Sequence, residues 1–312
     1  MNSDIGIKVE MKSSIRSKRF FGVRTLGCVL LGLAIMGCGG SSDPQPINRA
    51  SWIVDGDWLE ARLDDPQIHI LDARFSSEEF RAAHIPGAQR LEPYQIASTI
   101  EGVPAQITPP TQAAPLLESL GLQPTDTIIV YGVAPEYDPT RVVWGLRYYG
   151  YTDVRYLDGG WAAWQGNTRP VASGPAEAIS AGTIPESTNE KLRVTGDWIL
   201  DQLGPSPYLD SKIQIIDARS PGEYLAGRIP TAIDRRWTIN LNEGLMLPES
   251  ELEELYAGLD KQKTTVVYCL AGWRASVSWL VLESLGFADV RVYDGSWFEW
   301  GPPSQFPIER TE

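Results

Sequence analysis

Cysteine and histidine are scarce in this sequence, whose 312 residues include three cysteines and two histidines. Both histidines, His69 and His84, lie in the first half, so a thiol elsewhere has no nearby candidate for a histidine base. Cys28 and Cys38 lie near the N-terminus, and Cys269 stands alone toward the other end. Because the first two belong to a segment expected to be processed, Cys269 would be the only free thiol, and no internal disulfide is expected.

Basic residues are in the minority as well. The chain has 27 Lys and Arg against 40 Asp and Glu, which gives a formal net charge of −13. Such a surface repels nucleic-acid phosphates and anionic lipids, so neither is expected as a general partner. An anionic substrate would have to be attracted by local cations, because the overall field opposes its approach.

The N-terminal apolar run, residues 26–36, is too short to span a bilayer comfortably. It follows a basic leader, which is typical of a cleaved secretion signal. The run ends in Leu-Ala-Ile-Met-Gly-Cys38, which resembles the lipobox of bacterial lipoproteins. We therefore expect a lipoprotein signal peptide at 1–37, lipidation at Cys38 and a flexible tether at 38–50, placing the protein in the cell envelope, lipid-anchored and facing the periplasm. The alternative is an ordinary secretory signal with an incidental cysteine.

The rest of the chain contains an internal repeat. Residues 68–74, IHILDAR, recur as residues 213–219, IQIIDAR, and residues 153–161, DVRYLDGGW, recur as residues 289–297, DVRVYDGSW. Such a repeat in about 275 mature residues predicts two domains of ordinary size. We place the domains and the Gly-, Pro- and Ser-rich linker between them at residues 51–166, 192–312 and 167–191.

Short β-branched runs alternate with helical stretches in the second copy. Strands are predicted at residues 213–217, 264–268 and 290–293, and helices near residues 248–258 and at residues 275–285. This alternation predicts a parallel sheet with helices on both faces.

Cys269 directly follows the predicted strand 264–268 and precedes Leu-Ala-Gly272-Trp-Arg274 and a helical segment. Catalytic loops of parallel sheets lie at such strand ends. Backbone N–H groups of a short loop entering a helix stabilise negative charge, so this thiol should ionise easily and act as a nucleophile. Gly272 would let the loop bend, and Arg274 would add a fixed cation. The alternative is that Cys269 is a small buried apolar residue.

Together, these motifs resemble the tandem-domain rhodanese family of thiosulfate and 3-mercaptopyruvate sulfurtransferases. The resemblance implies an α/β fold with two tandem rhodanese-like domains, each a mainly parallel sheet flanked by helices. It also implies that only the second domain is catalytic, since the first has Gly132 where the second has Cys269, and Glu136 and Asp138 follow. The protein would move a sulfane sulfur from thiosulfate, or 3-mercaptopyruvate, to a thiophilic acceptor through a Cys269 persulfide. No metal or organic cofactor is implied.

The expected substrate-binding residues follow from this resemblance. Arg274 and Arg219 would hold the departing anion, while the loop's backbone N–H groups cradle the persulfide. Arg219 has a second interpretation, as the ion-pair partner of Asp217 or Glu223. The complete predicted set around Cys269 is Arg274, Arg219, Leu270, Ala271, Gly272 and Trp273.

Other thiol chemistries fit this sequence less well. Cysteine phosphatases place the loop arginine one residue further along, where this chain has Ala275. Papain-like hydrolases need a histidine base. A lipid-anchored persulfide carrier with little turnover on free donors remains the main alternative, and a scaffold that has lost its activity is disfavoured by the intact Cys269 and Arg274.

Overall fold

The computed structural model describes residues 49–134 and 136–311. The predicted signal peptide, the lipidation site Cys38 and most of the predicted tether lie outside these residues. Within the described part, no helix combines the length and apolar character needed to cross a membrane.

The described residues of the first repeat form seven strands and five α-helices. In chain order they are β1 Ile53–Val54, α1 Gly56–Glu60, β2 Ile68–Asp72, α2 Ser77–Ala82, β3 Gln89–Arg90, β4 Ala97–Ile100, β5 Val103–Ile107, α3 Pro110–Ser119, β6 Thr127–Tyr131, α4 Asp138–Tyr148, β7 Asp153–Leu157 and α5 Gly160–Gly166.

The second repeat follows the same order. Its elements are β8 Arg193–Val194, α6 Gly196–Leu203, β9 Gln214–Asp217, α7 Pro221–Ala226, β10 Ile233–Asp234, β11 Leu241–Asn242, β12 Leu245–Met246, α8 Glu249–Tyr256, β13 Thr265–Tyr268, α9 Trp273–Ser284, β14 Val290–Tyr293 and α10 Ser296–Trp300.

Each repeat forms a five-stranded sheet in which all neighbouring strands are parallel. The strand orders are β1-β7-β6-β2-β3 and β8-β14-β13-β9-β10, which match element by element. The central strands β6 and β13 are almost wholly buried because helices cover both faces, as expected for parallel sheets. The predicted fold class is confirmed.

The two repeats pack through their long helices α4 and α9, whose side chains belong to one continuous apolar core. Nearly every residue of each helix is buried, so neither helix has the polar face of a surface helix. Thr140 on α4 and Ser276 on α9 meet through their hydroxyls at 2.8 Å. These two residues occupy equivalent positions in the repeats, so their contact marks an approximate two-fold axis.

Each repeat also extends a two-stranded antiparallel hairpin, β4–β5 or β11–β12, toward the other repeat. The Ile107 N–H on β5 donates to the Asp294 carboxylate at 2.8 Å. The Met246 N–H on β12 donates to the equivalent Asp158 at 2.9 Å. The Asp-Gly dipeptide of each repeat therefore anchors the other repeat's hairpin.

Asp294 holds this interface together through additional ion pairs. Its fully buried carboxylate lies 2.8 Å from the buried Arg141 guanidinium and 3.3 Å from Arg193. Arg193 in turn donates to Gln106 on the β4–β5 hairpin at 2.7 Å. A single carboxylate thus joins helix α4, the first repeat's hairpin and the second repeat's sheet.

We expect Asp294→Ala to lower the free energy of unfolding by about 3–5 kcal/mol, because it leaves Arg141 buried without its counter-charge. The measurement is urea denaturation of a soluble form that begins at Gly39. The matched control is Asp289→Ala, which breaks the partly exposed pair with Arg291 and the hydrogen bond from Thr264 in the same repeat and should cost about 1 kcal/mol. Equal losses in the two variants would contradict the role given to Asp294.

Candidate active site

The Asp-Ala-Arg motif at the end of β9 forms a closed structural unit. Arg219 donates to the two carboxylate oxygens of Asp217 at 2.9 and 2.6 Å and to the Gly227 carbonyl at 2.6 Å. Its guanidinium lies 4.2 Å from the ring centre of Trp297, and Tyr268 donates to Asp217 at 2.5 Å. Only 2% of Arg219 is exposed.

This arrangement matches the second interpretation of Arg219, as the ion-pair partner of Asp217. Its guanidinium is used up by partners inside the repeat and does not line the cavity beside Cys269. The first repeat contains the same unit: Arg74 pairs with Asp72 at 2.6 Å and lies 4.4 Å from Trp161. Because both copies keep it, the motif braces the strand end and the turn that follows.

Cys269 lies at the carboxyl end of β13, and only 1% of the residue is exposed. Helix α10 fixes the loop after it: the N–H groups of Trp297 and Phe298 donate to the carbonyls of Cys269 and Leu270 at 3.1 and 3.0 Å. The first N–H groups of a helix have no partner within the helix, so these bonds satisfy both elements. The bonds also direct the loop carbonyls toward α10.

The side chain of Ser296 also holds this loop in place. Its hydroxyl accepts the N–H groups of Cys269 and Gly272 at 3.2 and 2.9 Å and donates to the Tyr293 carbonyl at 2.6 Å. The residue is fully buried and has a positive φ of 51°. The first repeat has Gly160 here, where a Cβ would come within 2.3 Å of the Gly132 carbonyl. The hydrogen bonds between a serine hydroxyl and this loop are therefore present only in the repeat that carries the cysteine.

Gly272 bends the chain into α9 with a φ of +75°, a conformation that favours glycine. Since its N–H donates to Ser296, it is not available to a bound anion, which corrects the part of the predicted cradle assigned to Gly272. The N–H groups of Leu270 and Ala271 donate to no residue that the structure describes. These two groups, with the positive end of the α9 dipole, remain to stabilise charge at the loop.

Arg274, in the first turn of α9, forms a bidentate pair with Glu223 on α7, with N–O distances of 2.9 and 2.8 Å. Hydrogen bonding to Arg274 lowers the pKa of Glu223 to about 2, so this carboxylate is ionised at neutral pH. The Glu223 bonds also raise the pKa of Arg274 against the effect of burial, and the charge of Cys269 adds to that increase. Arg274 therefore interacts with both Glu223 and the cysteine.

Cys269 opens into a cavity of about 450 Å³ between the two repeats. The first repeat contributes Tyr94, Ala105 and Tyr137 to its wall, and the indole N–H of Trp273 donates to the Ala105 carbonyl at 3.0 Å. Burial raises the pKa of Tyr137, so its hydroxyl stays protonated. The full set of lining residues is Tyr94, Ala105, Tyr137, Glu223, Cys269, Leu270, Ala271, Trp273, Arg274 and Phe298.

Most of the predicted loop residues thus line one cavity. Gly272 and Arg219 are not among its lining residues. Sequence reasoning missed the second repeat's Glu223, Ser296 and Phe298, and the first repeat's Tyr94. A signal existed for Ser296, because aligning the copies places it opposite Gly160. The aromatic residues carry no comparable signal, because their role depends on packing between the repeats.

The model of the rhodanese-like domain matches this chain twice, at residues 55–167 and 195–302. The chain belongs to the rhodanese family. This confirms the family resemblance of the sequence, and the two matches correspond to the two sheets described above.

Similar rhodanese proteins extend over most of the chain. Thiosulfate sulfurtransferase from Corynebacterium glutamicum is 32% identical over 279 residues, covering 83% of this chain and 91% of that protein. 3-Mercaptopyruvate sulfurtransferase from Escherichia coli K12 is 30% identical over 281 residues, covering 83% and 98%. The crystal structure of SseA from Escherichia coli, a 3-mercaptopyruvate sulfotransferase, has a TM-score of 0.71 at 29% identity and covers 79% of this chain and 98% of that chain.

We expect Ser296→Ala to lower the free energy of unfolding by about 1–3 kcal/mol, because two buried N–H groups lose their acceptor. Amide hydrogen exchange at Cys269 and Gly272 should become faster. The matched control is Ser284→Ala, which removes a buried hydroxyl that donates to one carbonyl within α9. It should cost about 1 kcal/mol or less. Unchanged exchange at Cys269 in Ser296→Ala would show that the hydroxyl does not fasten the loop.

Proposed function

We propose that this protein is a sulfurtransferase that moves a sulfane sulfur from thiosulfate, or 3-mercaptopyruvate, to a thiophilic acceptor through a Cys269 persulfide. The observation that carries the proposal is the position of Cys269 at the buried end of a cavity that also contains Arg274. The names of the similar proteins support the same reaction.

The reaction needs no redox partner. The Cys269 thiolate attacks the outer sulfur of thiosulfate, a bond forms between the two sulfurs, and the S–S bond of thiosulfate breaks with its electron pair leaving on sulfite. Cyanide or a thiolate then attacks the outer sulfur of the persulfide. The electron pair of the cleaved bond returns to Cys269, so the cycle is a ping-pong exchange.

The surroundings of Cys269 fit an anionic intermediate. The N–H groups of Leu270 and Ala271 are free to donate to the persulfide sulfur, and the α9 dipole favours negative charge there. Arg274 supplies positive charge next to the sulfur and to the leaving anion. Glu223 holds the guanidinium in place through two bonds.

In this proposal the first domain contributes to the cavity wall and takes no part in the sulfur transfer itself. Gly132 occupies the position of Cys269, and its carbonyl accepts the Trp161 N–H at 2.8 Å, as the Cys269 carbonyl accepts that of Trp297. This hydrogen bond is thus retained in a repeat whose loop starts with glycine instead of cysteine. Tyr94, Ala105 and Tyr137 nevertheless complete the cavity of the second domain.

One observation favours a second function, a persulfide carrier with little turnover on free donors. Glu223 occupies both arms of the Arg274 guanidinium, which weakens its hold on a small dianion such as thiosulfate. A carrier would show a persulfide on Cys269 by mass spectrometry without appreciable thiocyanate production from thiosulfate and cyanide.

We expect Cys269→Ser to abolish both the persulfide and thiocyanate production, because Cys269 is the only thiol among the described residues that line the cavity. Arg274→Gln should lower kcat/KM for thiosulfate about 100-fold, since it removes the cation next to the reacting sulfur. Assays of the soluble form from Gly39 with thiosulfate, and in parallel with 3-mercaptopyruvate, make the measurement. The control Arg291→Gln removes a partly exposed arginine of the same domain and should change kcat/KM less than about 2-fold. Persistent turnover in Cys269→Ser would refute the mechanism.

We further propose that Cys38 carries a lipid and anchors the protein in the cell envelope, facing the periplasm. Support comes from the basic leader, the short apolar run of residues 26–36 and the lipobox-like sequence that ends in Cys38. The Gly- and Ser-containing residues that follow would keep the catalytic unit at a distance from the bilayer.

Expression of the full chain in a bacterial host should yield a protein that partitions into detergent, because acyl chains bury their methylene groups in the micelle. Cys38→Ser should remove the lipid and shift the protein to the aqueous phase or leave it unprocessed. Cys28→Ser, within the apolar run, is the matched control and should partition like the unaltered chain. Detergent partition that survives in Cys38→Ser would rule out this anchor.

A further inference from the structure

The cavity beside Cys269 has little net charge to offer a reactant. Arg274 is the only lysine or arginine among its described lining residues, and Glu223 pairs with both arms of that guanidinium. Since Glu223 is ionised at neutral pH, the pair is neutral as a whole. A thiolate or persulfide on Cys269 then makes the cavity negative, which disfavours a highly anionic acceptor.

The wall of the cavity is mostly aromatic and apolar, and it reaches the surface. Tyr94 is 57% exposed, Phe298 48% and Leu270 36%. The ring of Tyr94 lies 4.5 Å from that of the buried Trp273 and 5.6 Å from that of Phe75, which is 43% exposed. Exposed aromatic side chains around one cavity mark a site for an apolar partner or ligand.

The burial of Cys269 fixes how a reactant can lie in this cavity. With 1% of the residue exposed, only a narrow sulfur-bearing end reaches the persulfide, while the rest of the molecule must lie along the wall. A cavity of about 450 Å³ is far larger than cyanide or thiosulfate requires and falls within the range of small-molecule sites.

We propose that the sulfur acceptor is an organic thiol with an aromatic or apolar body, whose sulfur reaches Cys269 while its body packs against Tyr94, Leu270 and Phe298. This inference rests on the proposed function and specifies its acceptor. The acceptor thiolate attacks the outer persulfide sulfur and forms a new S–S bond. The bond to Cys269 breaks, and its electron pair stays on the cysteine sulfur, so the products are an organic persulfide and the free enzyme thiolate.

The test compares two acceptors that have similar thiols and different bodies, 2-phenylethanethiol and 2-mercaptoethanol. The enzyme is first loaded with sulfur from thiosulfate and freed of donor, and the decay of the Cys269 persulfide is followed by mass spectrometry at several acceptor concentrations. We expect a rate constant per unit concentration at least about 10-fold higher for 2-phenylethanethiol, because its ring buries apolar surface against the wall. The same measurement is made on protein that carries the Cys269 persulfide and has been unfolded in urea. The ratio of the two rate constants there gives the intrinsic reactivity of the two thiols without a cavity.

Tyr94→Ala and Phe298→Ala should each reduce this preference several-fold, since they remove exposed side chains that line the cavity. Leu209→Ala, which trims a leucine that is 86% exposed and away from the cavity, should leave the preference unchanged. A preference no greater than the intrinsic ratio, or one insensitive to both wall variants, would overturn the inference. Failure to form any persulfide would instead refute the proposed function.

Discussion

The rest of the structure depends on the ion pair and hydrogen bond that the buried carboxylate of Asp294 makes with the first repeat. The carboxylate holds Arg141 from helix α4 and the Ile107 N–H of the first repeat's hairpin. A Cβ on Gly272 would lie 3.0 Å from this carboxylate, so the same group borders the cysteine loop. Because a buried charge needs partners, the contacts that Asp294 makes with the first repeat stabilise the docked arrangement of the two repeats. Docking brings Tyr94 and Ala105 over the loop, so the cavity exists only in the assembled pair.

Duplication followed by divergence explains which parts of the repeats stayed alike. The Asp-Ala-Arg units, with their aromatic partners Trp161 and Trp297, are retained in both copies because each sheet needs its strand end braced. The loop after the central strand is free of that requirement. There the second copy has Cys269 fastened by Ser296, whereas the first has two glycines whose backbones pack closely.

The fold and half of the site could be predicted from sequence because they depend on local patterns. The strand at 290–293 matches β14, and helix α9 begins two residues before its predicted start because Gly272 adopts a positive φ. The loop residues were found because they are contiguous with Cys269. Glu223 and Tyr94 are brought to the cavity by long-range packing. No residue spacing in the sequence indicates such contacts. For Arg219 the sequence left two interpretations open, and the structure pairs its guanidinium with Asp217, two residues earlier.

The reciprocal hairpins have a consequence for the origin of the chain. Ile107 on Asp294 mirrors Met246 on Asp158, and Thr140 meets its own counterpart Ser276 near the axis. Such self-complementary pairing is the geometry of an isologous homodimer. Joined in one polypeptide, the two protomers are always present in equal number. The first therefore needs no nucleophile of its own to serve the pair, because it completes the wall of its neighbour's cavity.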